Sequence, residues 1–80
     1  MAIEKIYVIP TDMSDKALAQ QLGLVVCERR DGKCILEYED SPGVLAAIIF
    51  IEKGTGRHLV EIKSFKAQHV AEELLVEAEA

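Results

Sequence analysis

Two short clusters of acidic side chains are the residues with the clearest capacity for chemistry, because closely spaced carboxylates can bind a hard metal ion. Asp12 and Asp15 flank the start of a candidate helix, and Glu37, Glu39 and Asp40 lie at the end of a candidate strand. Calcium and magnesium bind several carboxylate and carbonyl oxygens. Neither cluster has the spacing of a calcium-binding loop with its glycine and terminal glutamate. The sequence therefore favours a solvated acidic surface, with a shallow calcium or magnesium site as the alternative.

Basic side chains are concentrated at the predicted tips of two hairpins, where free backbone N–H groups can help to bind an anion. Arg29, Arg30 and Lys33 surround the first turn, and Lys53 and Arg57 surround the second. If strands two to five form a meander, both tips lie at the same end of the sheet. The favoured interpretation is that these charges are ordinary for exposed tips and protect the sheet edges from aggregation. The alternative is that a phosphate-bearing small molecule or an acidic partner binds there.

Cysteine and histidine give little support for catalysis or for a zinc site. Cys27, Cys34, His58 and His69 are enough for four ligands, but they include no closely spaced pair of the kind typical of zinc sites. A Cys34–His58 nucleophile pair needs an exposed thiolate in an electropositive setting. We therefore expect a protein that is not an enzyme, with both cysteines free and buried.

Length, composition and charge predict one small domain over residues 1–80. Half of the residues are hydrophobic, 29% are charged and the net charge is −5 at pH 7, which is typical of a soluble globular domain. Phosphate contacts need a basic face, so the charge disfavours nucleic acid and anionic membranes as partners. No apolar run approaches the roughly 20 residues of a membrane span, and no secretory signal is evident. We expect a cytoplasmic protein.

Hydrophobic periodicity and turn residues predict an α+β fold, with a mainly antiparallel sheet of four to five strands and two helices packed on it. Asp31-Gly32 is the favoured pair for a two-residue hairpin turn. The predicted elements are a strand over 3–9, a short helix capped by Ser14 or Asp12 and ending at about Leu22, hairpin strands at 24–30 and 33–39, hairpin strands at about 45–53 and 57–65, and a helix over 66–79.

The hairpin turn also fixes a predicted register, because directly paired residues share one face of a sheet. One face then forms part of the core, and its residues are Val25, Cys27, Cys34, Leu36 and Tyr38. The other face is charged and is interrupted by Val26 and Ile35. These two side chains need cover, and a second copy of the chain is a natural source of it, so self-association is predicted.

Residues 42–53 allow two interpretations. Their β-branched and aromatic residues favour a strand. The alternative is a helix capped by Ser41, with Pro42 at its first position and Gly54 at its end.

The stretch Glu39–Ile48 resembles the aspartate–Pro-Gly–Val-Leu–Ala turn of the ACT family of amino-acid-binding regulatory domains. The resemblance covers about an eighth of the chain, and the elements that follow depart from the family's order. It implies that the turn opens a helix and that Asp40 and Gly43 contact a small effector. Taken with the residue patterns, the favoured function is a small non-catalytic binding or regulatory module.

Overall fold

The computed structural model describes residues 5–78 as one antiparallel sheet of six strands with two helices. The elements in chain order are β1 (Lys5–Val8), α1 (Asp15–Leu22), β2 (Val25–Arg30), β3 (Lys33–Tyr38), β4 (Ser41–Ile51), β5 (His58–Ile62), α2 (Phe65–Leu74) and β6 (Val76–Glu77). The strands lie in the order β2-β3-β4-β5-β1-β6, and every neighbouring pair is antiparallel. The α+β class is confirmed, and the predicted four to five strands are corrected to six.

Local signals place α1 as predicted. The Ser14 hydroxyl oxygen accepts a hydrogen bond from the backbone N–H of Ala17 at 3.1 Å, which satisfies one of the free donors at the helix start. Gly23 follows the helix with a φ of 73°, a left-handed conformation that glycine adopts without a Cβ penalty. Leu18 and Leu22 are buried beneath the helix. Capping and periodicity therefore determine both ends of α1.

Both helices pack on the same face of the sheet. Their buried residues share one cluster with alternate residues of the strands, as expected when successive side chains of a strand point to opposite faces. The largest fully buried members of this core are Tyr7, Ile9, Leu18, Leu36, Ile49, Val60 and Ile62. Neither α1 nor α2 is long and apolar enough to span a membrane, and no other helix occurs within residues 5–78.

A β-bulge in β2 corrects the predicted register of the first hairpin. The pairs nearest the turn are as predicted, but the register shifts between Val26 and Glu28. Val26, rather than Cys27, therefore pairs with Leu36, and the pairs beyond the bulge are offset by one residue. The thiol of Cys27 is exposed and only Cys34 is buried, so the prediction of two buried thiols was wrong. A bulge inserts an unpaired residue that the geometry of the turn does not reveal.

Residues 42–53 form a strand over most of their length. β4 pairs with β3 on one side and with β5 on the other. The helix alternative is therefore wrong, and so is the helix-opening turn implied by the resemblance to the ACT family. Gly43 nevertheless has a φ of 89°, and the β3–β4 register is irregular near this point. The Pro-Gly pair marks a distortion within a strand rather than the start of a helix.

The C-terminal helix is shorter than predicted and is followed by the sixth strand. α2 ends at Leu74, and Leu75 has an extended backbone with φ −123° and ψ 159°. Val76 then pairs with Val8, which provides hydrogen-bond partners for the free edge of β1. Leu75 is buried although it lies beyond the helix, so the apolar pattern that predicted a longer helix continued past its end. Parts of the predicted end elements, at residues 3, 4 and 79, lie outside the described residues.

Candidate functional site

The face of the sheet opposite the helices is open within residues 5–78. Strand register places on it the side chains that alternate with the core positions. The centre of this open face consists of the six apolar side chains of Ile6, Val8, Ile35, Ile48, Phe50 and Leu59. Leu59 is only 2% exposed, although it does not belong to the helix-covered cluster. Its neighbours on the sheet cover it, while the other five side chains are half-buried.

Charged residues surround this apolar centre, and acidic and basic side chains are equal in number. Alternation along the strands places three acidic and three basic side chains on the same side of the sheet: Glu28, Glu37, Glu61, Arg30, Lys33 and Lys63. Glu61 and Lys63 approach to 3.8 Å, and Arg30 donates a hydrogen bond to Glu28 at 2.7 Å. The open face is therefore electrically neutral, whereas the whole chain carries a net charge of −5.

The meander brings both hairpin tips to one end of the sheet, as predicted. The structure also pairs three of the five predicted anion-binding cations with carboxylates. These pairs are Arg29 with Asp15 at 3.0 Å, Arg30 with Glu28 at 2.7 Å and Arg57 with Glu52 at 2.8 Å. Lys33 and Lys53 form no ion pair within the described chain. An anion at the tips would compete with existing carboxylates, and anion binding there stays a prediction.

Asp15 lies among basic groups at this end rather than in an acidic cluster. Its side chain is 14% exposed, and its second carboxylate oxygen lies 3.1 Å from Nε2 of His58. That contact is not aligned as a hydrogen bond, so the oxygen has no hydrogen-bond partner among the described residues. Asp15, Arg29, Cys34 and His58 line a hollow of about 240 Å³. Burial raises the pKa of the Cys34 thiol, which disfavours the thiolate that a nucleophile requires.

The predicted metal ligands lie at opposite ends of the sheet. Asp12 and Asp15 are at the end that holds the hairpin tips, since Ile9 beside them bonds to the backbone of His58. The other three predicted ligands are at the opposite end. Glu37 is near the end of β3, and Glu39 and Asp40 come directly after that strand. Within residues 5–78, no three acidic, histidine or cysteine side chains are grouped so that they could hold a metal ion. Calcium or magnesium binding stays a prediction.

Glu39 and Asp40 line a wide hollow of about 740 Å³ between the end of α1, the start of α2 and the β3–β4 turn. Lys66 lies on its other side, with Nζ 5.8 Å from the ring centroid of Tyr38. The Tyr38 hydroxyl is hydrogen-bonded to Ser64 at 2.6 Å. Carboxylates and an ammonium group thus meet across an open, partly apolar surface.

Glu37 has a structural role that sequence reasoning missed. Its Oε1 accepts hydrogen bonds from the backbone N–H of Gly43 at 2.9 Å and from the thiol of Cys27 at 3.1 Å. These bonds connect the bulge of β2 to the irregular start of β4. The Gly43 N–H holds the pKa of Glu37 below its ordinary value. The hydrogen bond to Glu37 raises the pKa of the Cys27 thiol. The Pro-Gly pair was the only sequence signal of this arrangement.

The open face has no covering element within residues 5–78, whereas three of the five cations at the tips are paired with carboxylates and Glu37 is hydrogen-bonded within the fold. Comparisons with models of protein families, with curated proteins and with solved structures gave no match.

Proposed function

We propose that this protein is a small non-catalytic association module that pairs with a second copy of itself through the open face of its sheet. One observation carries the proposal: five half-buried apolar side chains surround the buried Leu59 on the side of the sheet that neither helix covers. A contiguous apolar surface with a polar border is typical of a protein–protein interface. Packing two sheets face to face is a common way of burying such a surface.

The extent of the open face fits a weak, reversible dimer. The strands have 4, 6, 6, 11, 5 and 2 residues, and each residue covers about 16 Å² at ~3.3 Å along a strand and ~4.8 Å between strands. The outline of the sheet is therefore of the order of 540 Å². Two copies in face-to-face contact bury about 1,100 Å² in total, which is below the roughly 1,600 Å² of a standard stable interface and is typical of a weak association.

The charge of the open face favours a second copy as the partner. Two chains that each carry −5 repel each other on average. The open face combines three acidic with three basic residues, so the chains can approach through this surface without net repulsion. Because the open face carries both signs of charge, a twofold arrangement can bring basic groups of one copy near acidic groups of the other. This self-complementarity is what a twofold interface requires.

Sedimentation equilibrium of the wild type and two matched variants on β4 tests the proposal. Ile48→Lys changes the open face, whereas Ile51→Lys places the same charge on the opposite side of the strand, where Ile51 is already 56% exposed. Ile48 is already half-buried in one chain, so association adds at most about a third of the roughly 1.5–3 kcal/mol of full burial, and twofold symmetry counts this twice. The two lysine ammonium groups must also leave water when the interface forms. We expect the dissociation constant of Ile48→Lys to rise by at least about tenfold, with Ile51→Lys unchanged.

A wild type that remains monomeric up to millimolar concentration contradicts the proposal, as does an Ile48→Lys variant that dimerises like the wild type. Circular dichroism shows whether each variant retains its fold. We also propose a cytoplasmic location, because two cysteines that are not disulfide-bonded are typical of a reducing compartment.

A further inference from the structure

A groove separates α1 from β2, the strand at the outer edge of the sheet. It has a volume of about 420 Å³. Lys16 and Ala19 line it from the helix, and Leu24, Val26 and Arg29 line it from the strand and the residue before it. The floor of the groove is apolar, and the two cations lie at its border.

Val26 shows that the groove is an incompletely covered part of the core. Val26 pairs with Leu36, which is 0% exposed beneath the helices, so both side chains are on the helix-covered face. Val26 itself is 37% exposed, because the groove between α1 and β2 leaves part of its side chain uncovered. One further apolar side chain placed beside Val26 would complete this end of the core.

The outer edge of β2 has free backbone N–H and C=O groups. These groups can hydrogen-bond the backbone of a peptide that carries such a side chain. β2 is the terminal strand of the sheet, and no strand within the described range pairs with its outer side. Five of its six residues are exposed. An extended peptide can add to such an edge through main-chain hydrogen bonds, and its alternate side chains then point into the neighbouring groove.

The charges around the groove indicate what the peptide carries. Asp15, Lys16 and the segment 28–33 contain four of the nine basic residues of the chain but only three of its fourteen acidic residues. Lys16 forms no ion pair with any described residue. Arg29 pairs with Asp15 through Nη1, but its side chain is 67% exposed and the guanidinium has further N–H groups to donate. This corner carries a formal charge of +1 on a chain of −5, and it favours a negatively charged ligand.

We propose that the edge of β2 and the adjoining groove bind an extended peptide segment with one apolar side chain between two acidic side chains on the same side of the strand. The apolar side chain contacts Ala19, Leu24 and Val26. The acidic side chains pair with Lys16 and Arg29, and the peptide backbone bonds to the edge of β2. This site goes beyond the proposed self-association, because a dimer formed through the open faces leaves the edge of β2 of each copy accessible.

The test is an amide NMR titration of the ¹⁵N-labelled protein with the capped peptide TETVTET, whose valine and two glutamates lie on one side of an extended chain. We expect saturable shifts in α1 and in Val25–Arg30. A peptide with lysine in place of both glutamates should bind at least about threefold more weakly, because it loses the ion pairs. A peptide with proline after the valine should be weakened to a similar extent, because it loses a main-chain hydrogen bond.

Matched variants locate the contacts. Lys16→Glu should weaken binding of TETVTET by about threefold to tenfold, whereas Lys53→Glu should not. Val26→Ser should weaken it similarly, whereas Val44→Ser, at a position that is 56% exposed at the other end of the sheet, should not. The proposal is overturned if the shifts are confined to the open face, or if no shift saturates at millimolar peptide. Equal binding of the lysine peptide would also overturn it. Because Ile48→Lys leaves this site intact, that variant should still bind the peptide as a monomer.

Discussion

Replacing Asp15 by asparagine is expected to destabilise the protein, whereas the same replacement at Asp12 is not. Asp15 is the first residue of α1, and its carboxylate lies 3.0 Å from Arg29 and 3.1 Å from His58. Asp12 is exposed and forms no ion pair with the described residues. The two residues were predicted together as metal ligands, but the structure gives them different surroundings.

The expected loss at Asp15 comes mainly from the helix start. A carboxylate in the first turn contributes about 0.3–1 kcal/mol through its interaction with the helix N-terminus, and up to ~2 kcal/mol when it is partly buried. Its side chain is 14% exposed, which supports the upper part of that range. The contact with exposed Arg29 adds little, because water screens it. We expect a loss of about 1 kcal/mol, which lowers the melting temperature of a domain of this size by about 4–8 °C.

Urea denaturation of Asp15→Asn and Asp12→Asn in the monomeric Ile48→Lys background measures this difference without coupling to association. The Asp15 variant should unfold at lower urea concentration with an unchanged denaturant slope. The reasoning is refuted if both variants lose the same stability, or if Asp15→Asn is as stable as its parent.

The remaining predictions concern single contacts. Ser14→Ala should cost about 1 kcal/mol of unfolding free energy, because the hydrogen bond to Ala17 is lost; no loss in urea denaturation would contradict the capping role. The pKa of Glu37 is below its ordinary value of 4.5, so the stability that it contributes is complete above that value and is lost as the pH falls through the lowered pKa of the folded state. Glu37→Gln should therefore flatten the acid limb of a stability–pH curve, and an unchanged limb would contradict this. In native protein at pH 8, iodoacetamide should modify only Cys27, and slowly, because its hydrogen bond raises the pKa of the thiol. Cys34 should react only after unfolding, and mass spectrometry that finds it modified in native protein would contradict its burial.

The parts of the fold that depend on neighbouring residues could be predicted from the sequence. Asp31-Gly32 specified a hairpin turn, Gly23 specified the end of α1, and its start was narrowed to Ser14 or Asp12, because each acts on its own backbone or on backbone groups a few residues away. The bulge at Cys27 could not be predicted in this way. It depends on hydrogen bonds to Glu37, which lies ten residues away and also holds Gly43.

The candidate sites were predictable only in part, because they also depend on contacts between residues that are distant in the sequence. The predicted meander correctly placed the two hairpin tips at one end of the sheet. The sequence did not show that Asp15 would neutralise Arg29, because these residues come from different elements fourteen positions apart. The apolar continuity of the open face also required the order of the strands, since Val8 and Leu59 become neighbours only when β1 pairs with β5.

Isotope-filtered NOE spectroscopy on an equimolar mixture of ¹³C-labelled and unlabelled chains tests the central claim most directly. The experiment detects only contacts between two copies. A dimer formed through the open face predicts intermolecular NOEs that involve the methyl groups of Ile35 and Ile48 and the ring of Phe50. Intermolecular NOEs confined to α1, α2 or the edge of β2, or none under conditions where the protein sediments as a dimer, would contradict the claim.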